Sequence, residues 1–414
     1  MKISYLVSLE RTTSGTFAHQ VLDFMSRLSE SRDDSISLIV QLPLLDVTRR
    51  GVHRGTSVAV RRQIESGLPT GVAVHILPNL IPCSLYYMPI WLVPVYILAS
   101  VPQLLVLLLA LRPDVLHCRS DVSALPGVMV RYLLPRHPAV VFDCRSLYAE
   151  EAHLLGLRWF DRASYVGWKA IRRFLLQHSD CVTCVTPELG RALTRMSGGS
   201  RVYTVPAIVS GDRFKPNDAL RDSVRQELHF APEDRVLVFS GTLGSWHSAS
   251  TLERIWRYYR SATSWLVLLV PNGRAVRASL GVDDQVRILA IAPDQVSRYL
   301  CAADYGIVPF HEDLSSDAIL LGTTMISSKA EEYMMAGLRI IVNSRVTPLA
   351  RLVGNHRIGI VVDMEAAPGS WPELETYDSQ ESWRIHTIAN GMFSDKSATI
   401  EYRARYSTLV ERRL

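Results

Sequence analysis

The residues best suited to chemistry in this sequence stand in one short stretch, Ser327-Ser328-Lys329-Ala330-Glu331-Glu332. Ser328 followed by Glu331 predicts a capping box, and therefore a helix that begins here. Lys329 and Glu332 are spaced to share one side of the first turn of that helix. Unbonded N–H groups at a helix N-terminus, a lysine and a carboxylate together suit the diphosphate and the ribose of a nucleotide.

The residues that follow predict how this helix is held. The i, i+3, i+4, i+7 spacing of a buried face is kept by Ala330, Tyr333, Met334 and Gly337. Gly337 is expected to end the helix as its C′ residue, and the apolar run that follows is typical of a buried parallel strand. An ordinary capped helix in any doubly wound domain would show the same spacing, and it remains the alternative.

From Ser327 onward the order Ser-Ser-Lys-x-x-Glu-Tyr-x-x-Ala-Gly-Leu-x-Ile-Ile resembles the donor-site segment of retaining glycosyltransferases of the GT-B fold. Within that fold it is similar to the family 4 type of bacterial polysaccharide biosynthesis. The resemblance implies that Glu332 binds the ribose hydroxyls of a nucleotide-sugar, with Ser328 and Lys329 also at the donor. It further implies the α/β class, with two doubly wound, Rossmann-like parallel-sheet domains that face each other across a cleft.

Two further strand–loop–helix patterns are candidates for the donor site. A first strand, a polar loop with the single glycine Gly15, and a helix form the usual anion-binding layout. A second strand runs into Gly241. The resembling family has an Arg and a Lys in the loop after that strand, and Thr242 and His247 occupy the aligned positions here. We therefore expect the phosphates to be held by other cations: Lys329, Arg274, Arg119 or Arg145.

Polar residues follow two predicted strands in the first half of the chain, at the strand ends where open α/β sheets place their ligands. The first set contains His117 and Arg119. The second resembles the family's Phe-Asp-x-Arg followed by Glu-Glu, and contains Asp143, Arg145 and Glu150. We predict catalytic roles for Asp143, Arg145 and Lys329, and acceptor-side positions for His117, Arg119 and Glu150. An Asp–Arg pair that merely orders its loop is the alternative.

The length of 414 residues allows two α/β domains with large cores. We predict an acceptor-side domain over 1–206, a nucleotide-sugar domain over 207–385, and a helix over 386–414 that returns to the first domain. The net charge of +5 is mild and does not demand nucleic acid. The six cysteines form no disulfide framework in a chain of this size, and the lone CxxC motif fits a buried strand better than a zinc site.

An apolar segment over 79–111 is the least usual feature, since no Asp, Glu, Lys or Arg occurs between Gly67 and Leu111. A run longer than 18 residues is a transmembrane candidate. Three prolines within this run, and the strand predicted directly after it, argue against a membrane-spanning helix. Helices that enter the bilayer interface and a fully buried core helix pair are equally favoured. No signal peptide is recognised, so we expect a cytoplasmic protein, peripheral on the inner face of the cell membrane.

Together these patterns predict a retaining hexosyltransferase. It would move a hexose from a nucleotide-sugar to a lipid-linked or polysaccharide acceptor without a metal or another cofactor, since no Asp-x-Asp stands in a suitable setting. The expected partners are the donor, a lipid-linked or glycan acceptor and the inner membrane surface, with no nucleic acid. Two alternatives remain: a nucleotide-sugar epimerase of the same fold, and a non-catalytic membrane-associated partner in polysaccharide assembly.

Overall fold

The computed structural model describes residues 1–12, 17–31, 33–43, 57–81, 87–199, 202–244, 246–270, 273, 284–366 and 370–413. The chain divides into two compact units. The first unit comprises Met1–Ile208 and Asp395–Leu414, and the second comprises Val209–Ser394. The chain therefore changes unit after Ile208 and returns to the first unit at Asp395.

Each unit contains one β-sheet. The strands of the first are β1 Lys2–Ser8, β2 Ser35–Pro43, β3 Val72–Asn79, β4 Val115–Arg119, β5 Ala139–Cys144, β6 Cys181–Cys184 and β7 Val202–Thr204. The strands of the second are β8 Arg235–Ser240, β9 Ser264–Leu269, β10 Val286–Leu289, β11 Tyr305–Val308, β12 Arg339–Asn343 and β13 Gly359–Val362.

The strand order confirms the predicted doubly wound α/β class. It is β3-β2-β1-β4-β5-β6-β7 in the seven-stranded sheet and β10-β9-β8-β11-β12-β13 in the six-stranded sheet. The strand pairings within both sheets are parallel. In each sheet the winding reverses between two neighbouring strands, β1 and β4 in one and β8 and β11 in the other. Open α/β sheets bind ligands at such a switch point, beyond the carboxyl ends of the strands.

The helices connect the strands and cover the sheets. They are α1 Asp23–Leu28, α2 Ser57–Ser66, α3 Val93–Leu111, α4 Ser120–Arg131, α5 Tyr148–Leu154, α6 Arg162–His178, α7 Pro187–Ser197, α8 Asp218–Glu227, α9 Ala249–Tyr259, α10 Val296–Leu300, α11 Ser316–Thr324, α12 Ser328–Met335, α13 Thr347–His356, α14 Ser379–Phe393 and α15 Asp395–Glu411. A π-helical turn, Ala18–Leu22, leads into α1, and 3-10 turns at Ile90–Leu92 and Pro293–Gln295 precede α3 and α10.

The last helix, α15, packs on the first unit through one face, which contains Tyr402, Tyr406 and Leu409. All three side chains are buried. The ring of Tyr402 lies 5.1 Å from that of Phe24, centroid to centroid, and 5.0 Å from that of His117. Because these contacts join the end of the chain to α1 and β4, α15 belongs to the core of the first unit.

Between Ile90 and Leu111 the apolar segment forms a 3-10 turn and the helix α3. This part is largely exposed, whereas one of the two expectations was a fully buried helix pair. Pro94 lies in the first turn of α3, where a missing N–H costs nothing, and Pro102 lies inside the helix. Of the described residues, Ile90–Leu111 is the one helical segment long and apolar enough to cross a membrane, and only 28% of its apolar window is buried. One face packs on the domain, and the opposite face is exposed.

The predicted capping box at Ser328 is wrong, and so is a second one that the spacing of Ser250 and Glu253 predicts at the start of α9. The N-cap of α12 is Ser327, not Ser328, and its side chain makes no capping hydrogen bond. The N-cap of α9 is Ser248, whose side chain accepts a hydrogen bond from the backbone N–H of Thr251. In both stretches neighbouring serines compete for the cap, and the backbone conformation decides between them. The predicted end of α12 is confirmed, since Gly337 follows this helix with a left-handed φ of 82°.

Candidate functional site

The clearest site in the second unit lies at the switch point of the six-stranded sheet. Gly241 directly follows β8 and has a φ of 115°, which favours glycine. His247 forms an isolated antiparallel bridge with Phe310, which lies just beyond β11. The N-terminus of α12 reaches the same place, because the aliphatic chain of Lys329 lies against Gly241. The stretch singled out by sequence therefore lies where this sheet is expected to bind a ligand.

The start of α12 offers hydrogen-bond donors. The backbone N–H groups of Ala330 and Glu331 donate to the carbonyl oxygen of Ser327, at 2.9 and 3.4 Å. Among the described residues, no acceptor is found for the backbone N–H groups of Ser328 and Lys329. Unbonded N–H groups and the positive end of the helix dipole attract an anion. This helix start can therefore bind phosphate oxygens.

Lys329 adds a positive charge at this helix start. Its side chain is half-buried, and a Cβ atom on Gly241 would lie 2.3 Å from its Cε atom. Burial lowers the pKa of Lys329 below its ordinary value, and the carboxylate of Glu332 partly opposes this shift. The lysine and the glutamate therefore interact, as their spacing predicts. The absence of a side chain at Gly241 is what allows the lysine to lie there.

His247 is the second basic group of this site. Its Nε2 atom lies 3.2 Å from the Oγ atom of Ser327, and its ring packs 5.6 Å from that of Phe239. Burial is the main cause that holds the pKa of His247 well below its ordinary value, and the nearby Lys329 and His311 act in the same direction. The imidazole is therefore neutral at pH 7.

Tyr333 fixes α12 to the sheet. The backbone N–H of Ser240, the last residue of β8, donates to its hydroxyl oxygen at 2.7 Å. Its ring lies over Gly306, where a Cβ atom would come within 2.2 Å of the ring carbon Cδ2. The position of the helix start relative to the end of β8 therefore depends on the buried phenol of Tyr333, one turn after Lys329 on the same side of α12.

In the first unit, His117 and Asp143 form a buried cluster beneath α15. The Nδ1 atom of His117 lies 2.6 Å from the hydroxyl of Tyr406. The hydroxyls of Thr183 and Tyr402 donate to Oδ1 of Asp143, at 3.0 and 3.2 Å. Burial lowers the pKa of His117. Burial also opposes ionisation of Asp143, but Arg145, His117 and Arg119 together outweigh it and hold that pKa well below its usual range.

A second buried cluster joins α4, α5 and α6. The guanidinium of Arg172 donates to Glu150 at 2.6 Å, and its Nε atom lies 3.5 Å from Oδ1 of Asp121. All three side chains are at most 2% exposed. Burial raises the pKa of Asp121 to about 6, although Arg172 opposes the shift. These charges hold helices together inside the unit.

Arg119 and Arg145 lie at the switch point of the seven-stranded sheet. Both donate to Oε1 of Gln20, at 2.8 and 3.3 Å. The Nε atom of Arg119 donates to Glu10, just beyond β1, at 2.8 Å. This group therefore presents guanidinium and amide groups at the edge where open α/β sheets bind ligands.

Comparisons with known proteins identify the architecture of this chain. Residues 47–213 match the sequence model of Glycosyltransferase Family 4. A search among curated protein sequences finds no match. Among solved structures, sucrose-phosphate synthase from Thermosynechococcus elongatus aligns with a TM-score of 0.69 at 13% identity, over 99% of each chain. Anabaena HepE in complex with UDP aligns with a TM-score of 0.64 at 13% identity, over 99% of this chain and 100% of that one.

A third similar structure is UDP-GlcNAc 2-epimerase from Neisseria meningitidis bound to UDP-GlcNAc, with a TM-score of 0.52 at 12% identity over 99% of this chain and 100% of that one. The likeness extends over both units, and at these identities it establishes architecture. The chain has the GT-B fold. Each of its two parallel-sheet units corresponds to one sheet domain of that fold.

The structure shows where the predicted donor residues lie. Gly241, Ser328, Lys329 and His247 meet at the switch point of the second unit, with Glu332 on the first turns of α12. Thr242 is exposed next to Gly241. Gly15 and Arg274 lie outside the described residues. Within the described part of the chain, no group of three or more His, Cys, Asp or Glu residues could hold a metal ion.

Two acceptor-side predictions, His117 and Glu150, and one catalytic prediction, Asp143, conflict with the burial of these side chains. His117, Asp143 and Glu150 are at most 1% exposed and bonded inside the first unit. A substrate arriving from solvent cannot reach these side chains in this conformation. Arg145 remains a candidate, because it lies partly exposed at the switch point. Arg119 lies there too, but it is buried and bonded to Glu10 and Gln20. Reasoning from sequence missed Gln20 and Ser327 as positioning residues. It placed Tyr333 on the buried face of the helix but not its contact with Gly306, which joins separate elements and leaves no local signal.

Replacement of Gly241 by alanine is expected to weaken nucleotide binding by roughly tenfold. The new methyl group would displace the Lys329 chain, and the backbone conformation would be strained at a cost on the order of 1–2 kcal/mol. Calorimetric titration with UDP, GDP and ADP measures the effect. Gly244→Ala is the matched control, since a Cβ atom there meets nothing within 4 Å. Equal affinities in the two variants would show that the contact between Gly241 and Lys329 does not matter.

Proposed function

We propose that this protein is a retaining glycosyltransferase that moves a hexose from a nucleotide-sugar to a lipid-linked or glycan acceptor without a metal ion. The observation that carries the proposal is the start of α12. There two backbone N–H groups, the Lys329 ammonium and the Glu332 carboxylate meet at the switch point of a parallel sheet. The GT-B fold and the family match over 47–213 support the same activity.

The proposed chemistry follows from the leaving group. Breaking the bond between the sugar and the diphosphate places negative charge on the phosphate oxygens, so the site must stabilise that charge as it develops. The N–H groups of Ser328 and Lys329, with the ammonium of Lys329, are placed to do so. Glu332 would accept hydrogen bonds from the ribose hydroxyls. Since helix dipole and lysine supply positive charge, a divalent cation is not required.

Nucleotide binding and turnover test the proposal. Calorimetric titration of the full chain with UDP, GDP and ADP should show binding of at least one of them. Incubation with radiolabelled nucleotide-sugars and membrane lipid extracts should transfer label to an acceptor. Transfer should persist in the presence of EDTA. A chain that binds none of the three nucleotides would refute the proposal and favour a non-catalytic partner in polysaccharide assembly.

An epimerase is the second candidate function, because a solved UDP-GlcNAc 2-epimerase shares the fold over the whole chain. Epimerisation at the sugar needs no acceptor. Incubation with UDP-GlcNAc alone, followed by separation of the sugars, distinguishes the two activities. A change in sugar configuration without any acceptor would favour the epimerase.

We also propose that α3 binds the inner face of the cell membrane. Its exposed apolar face begins in the preceding 3-10 turn and follows helical spacing: Trp91, Val95, Leu98, Pro102, Val106 and Leu109. The exposed residues Arg162, Val166, Lys169 and Arg173 form a basic face on α6. The two elements adjoin, since a Cβ atom on Gly167 would lie 2.6 Å from the Ile90 side chain. Apolar and basic faces side by side suit an anionic bilayer.

Paired replacement of Leu98 and Val106 by glutamate is expected to abolish sedimentation with phosphatidylglycerol vesicles. Both side chains are largely exposed, at 76% and 72%, so the changes should leave the fold intact. Charged groups at these positions would oppose burial in the interface. Ile400→Glu on α15 is the matched control, since Ile400 is 70% exposed. Unchanged sedimentation of the double variant would exclude α3 as the membrane-binding element.

A further inference from the structure

At the start of α12, the electrostatic neighbours of the His247 imidazole are basic. The charged or titratable groups that the structure places close enough to act on the His247 imidazole are Lys329 from α12 and His311 from beyond β11, and both are basic. Two carboxylates of this region act on other groups: Glu332 on Lys329, and Asp313 on His311. Within the described residues, the imidazole therefore lacks an acidic neighbour that would favour its protonated form.

The geometry also holds the imidazole at the place where an anion would bind. Its Nε2 atom lies 3.2 Å from Ser327 Oγ, and Ser327 is the residue that opens α12. The unbonded N–H groups of Ser328 and Lys329 follow directly in the chain. A diphosphate docked on these N–H groups would bring negative charge close to a buried, neutral imidazole. Opposite charge in a poorly solvated site favours protonation.

We propose that His247 takes up a proton from solvent when the diphosphate of a nucleotide-sugar docks at the start of α12, so that the donor itself creates a second cation beside Lys329. The inference rests on the proposed function, because it requires a diphosphate in this site. Because the histidine is neutral in the empty site, it does not repel the Lys329 ammonium there. The imidazolium then helps to bind the diphosphate and to stabilise the charge that develops on it.

The consequence is a pH-dependent affinity whose sign follows from linkage. In the empty site the pKa of His247 lies well below its ordinary value, because of burial and of Lys329 and His311. In the complex the pKa rises, so binding takes up a proton between the two values. Affinity should therefore fall as pH rises through this window, by up to roughly tenfold per pH unit.

Calorimetric titration with UDP-glucose, GDP-mannose and ADP-glucose measures this directly. The diphosphate of a nucleotide-sugar is esterified at both ends and does not titrate near neutral pH, so a proton taken up must enter the protein. Titrations near pH 6.5 in buffers of low and high ionisation enthalpy should give different apparent enthalpies for the wild type. The difference should vanish in His247→Gln.

Three further variants keep the assignment testable. His247→Arg carries a permanent charge, so it should bind the nucleotide-sugar without proton uptake. His311→Gln should retain uptake, since the proton is assigned to His247. His356→Gln, at an exposed position, is the matched control and should behave as the wild type. Circular dichroism and thermal melting establish that each variant is folded.

The outcomes separate the two proposals. Nucleotide-sugar binding with identical enthalpies in both buffers would overturn the proton uptake and leave the proposed function intact. Uptake that persists in His247→Gln, or disappears in His311→Gln, would overturn the assignment to His247. A chain that binds no nucleotide-sugar and no nucleoside diphosphate would refute both proposals.

Discussion

Replacement of Lys329 by alanine is expected to reduce sugar transfer by roughly a hundredfold or more, the range seen when one group that stabilises developing charge is removed. Lys329 is a cation at the helix start, where two backbone N–H groups have no acceptor among the described residues, and it lies over Gly241 at the switch point of its sheet. Its loss removes positive charge from the place where the leaving diphosphate must be stabilised. The fold should tolerate the change, because the side chain is only half-buried.

The measurement is steady-state transfer of radiolabelled sugar, with nucleotide affinity followed by calorimetry. Lys215→Ala, at an exposed position in the same unit, is the matched control and should leave both quantities unchanged. Glu332→Ala should weaken nucleotide binding by roughly ten- to a hundredfold, as expected for lost hydrogen bonds to a charged group. Full activity in both Lys329→Ala and Glu332→Ala would exclude the α12 helix start as the donor site.

Replacement of Glu150 by alanine is expected to destabilise the first unit by about 3–5 kcal/mol, the cost of removing one partner from a buried ion pair. The Glu150 carboxylate is 2.6 Å from the guanidinium of Arg172 and is fully buried. Its loss would leave Arg172 with Asp121 as its remaining close acidic neighbour, whose pKa is already raised to about 6 by burial. This expectation contrasts with the acceptor-side role predicted from sequence.

Denaturant unfolding followed by circular dichroism measures the effect as a lower midpoint for the transition of the first unit. Glu65→Ala is the matched control, because it breaks a surface ion pair in which Glu65 is 44% exposed and Arg61 is 54% exposed. This change should alter the free energy of unfolding by under about 1 kcal/mol. Unchanged stability of Glu150→Ala, together with a raised KM for the acceptor, would restore the acceptor-side role.

The helix start at Ser328 shows which part of a site can be predicted locally. The spacing of Lys329 and Glu332 fixes their common side once a helix forms, and a helix followed by a glycine and an apolar strand is a strong local pattern. The cap itself was misplaced by one residue, because Ser327 and Ser328 are equivalent as residue types. His247 was identified through an aligned position. Its bond partner and its electrostatic neighbours come from other elements.

The resemblance to a known family implied the doubly wound class. The sequence by itself determined the helix start with its lysine and glutamate and the presence of an apolar segment, because these depend on periodicity and spacing within single elements. The tertiary structure alone decided which polar residues are accessible. His117 and Asp143 are buried because Tyr402 and Tyr406 of the last helix pack over them, and Glu150 is buried because Arg172 meets it from another helix. Burial of a side chain depends on contacts between residues far apart in the chain, and such contacts leave no local pattern.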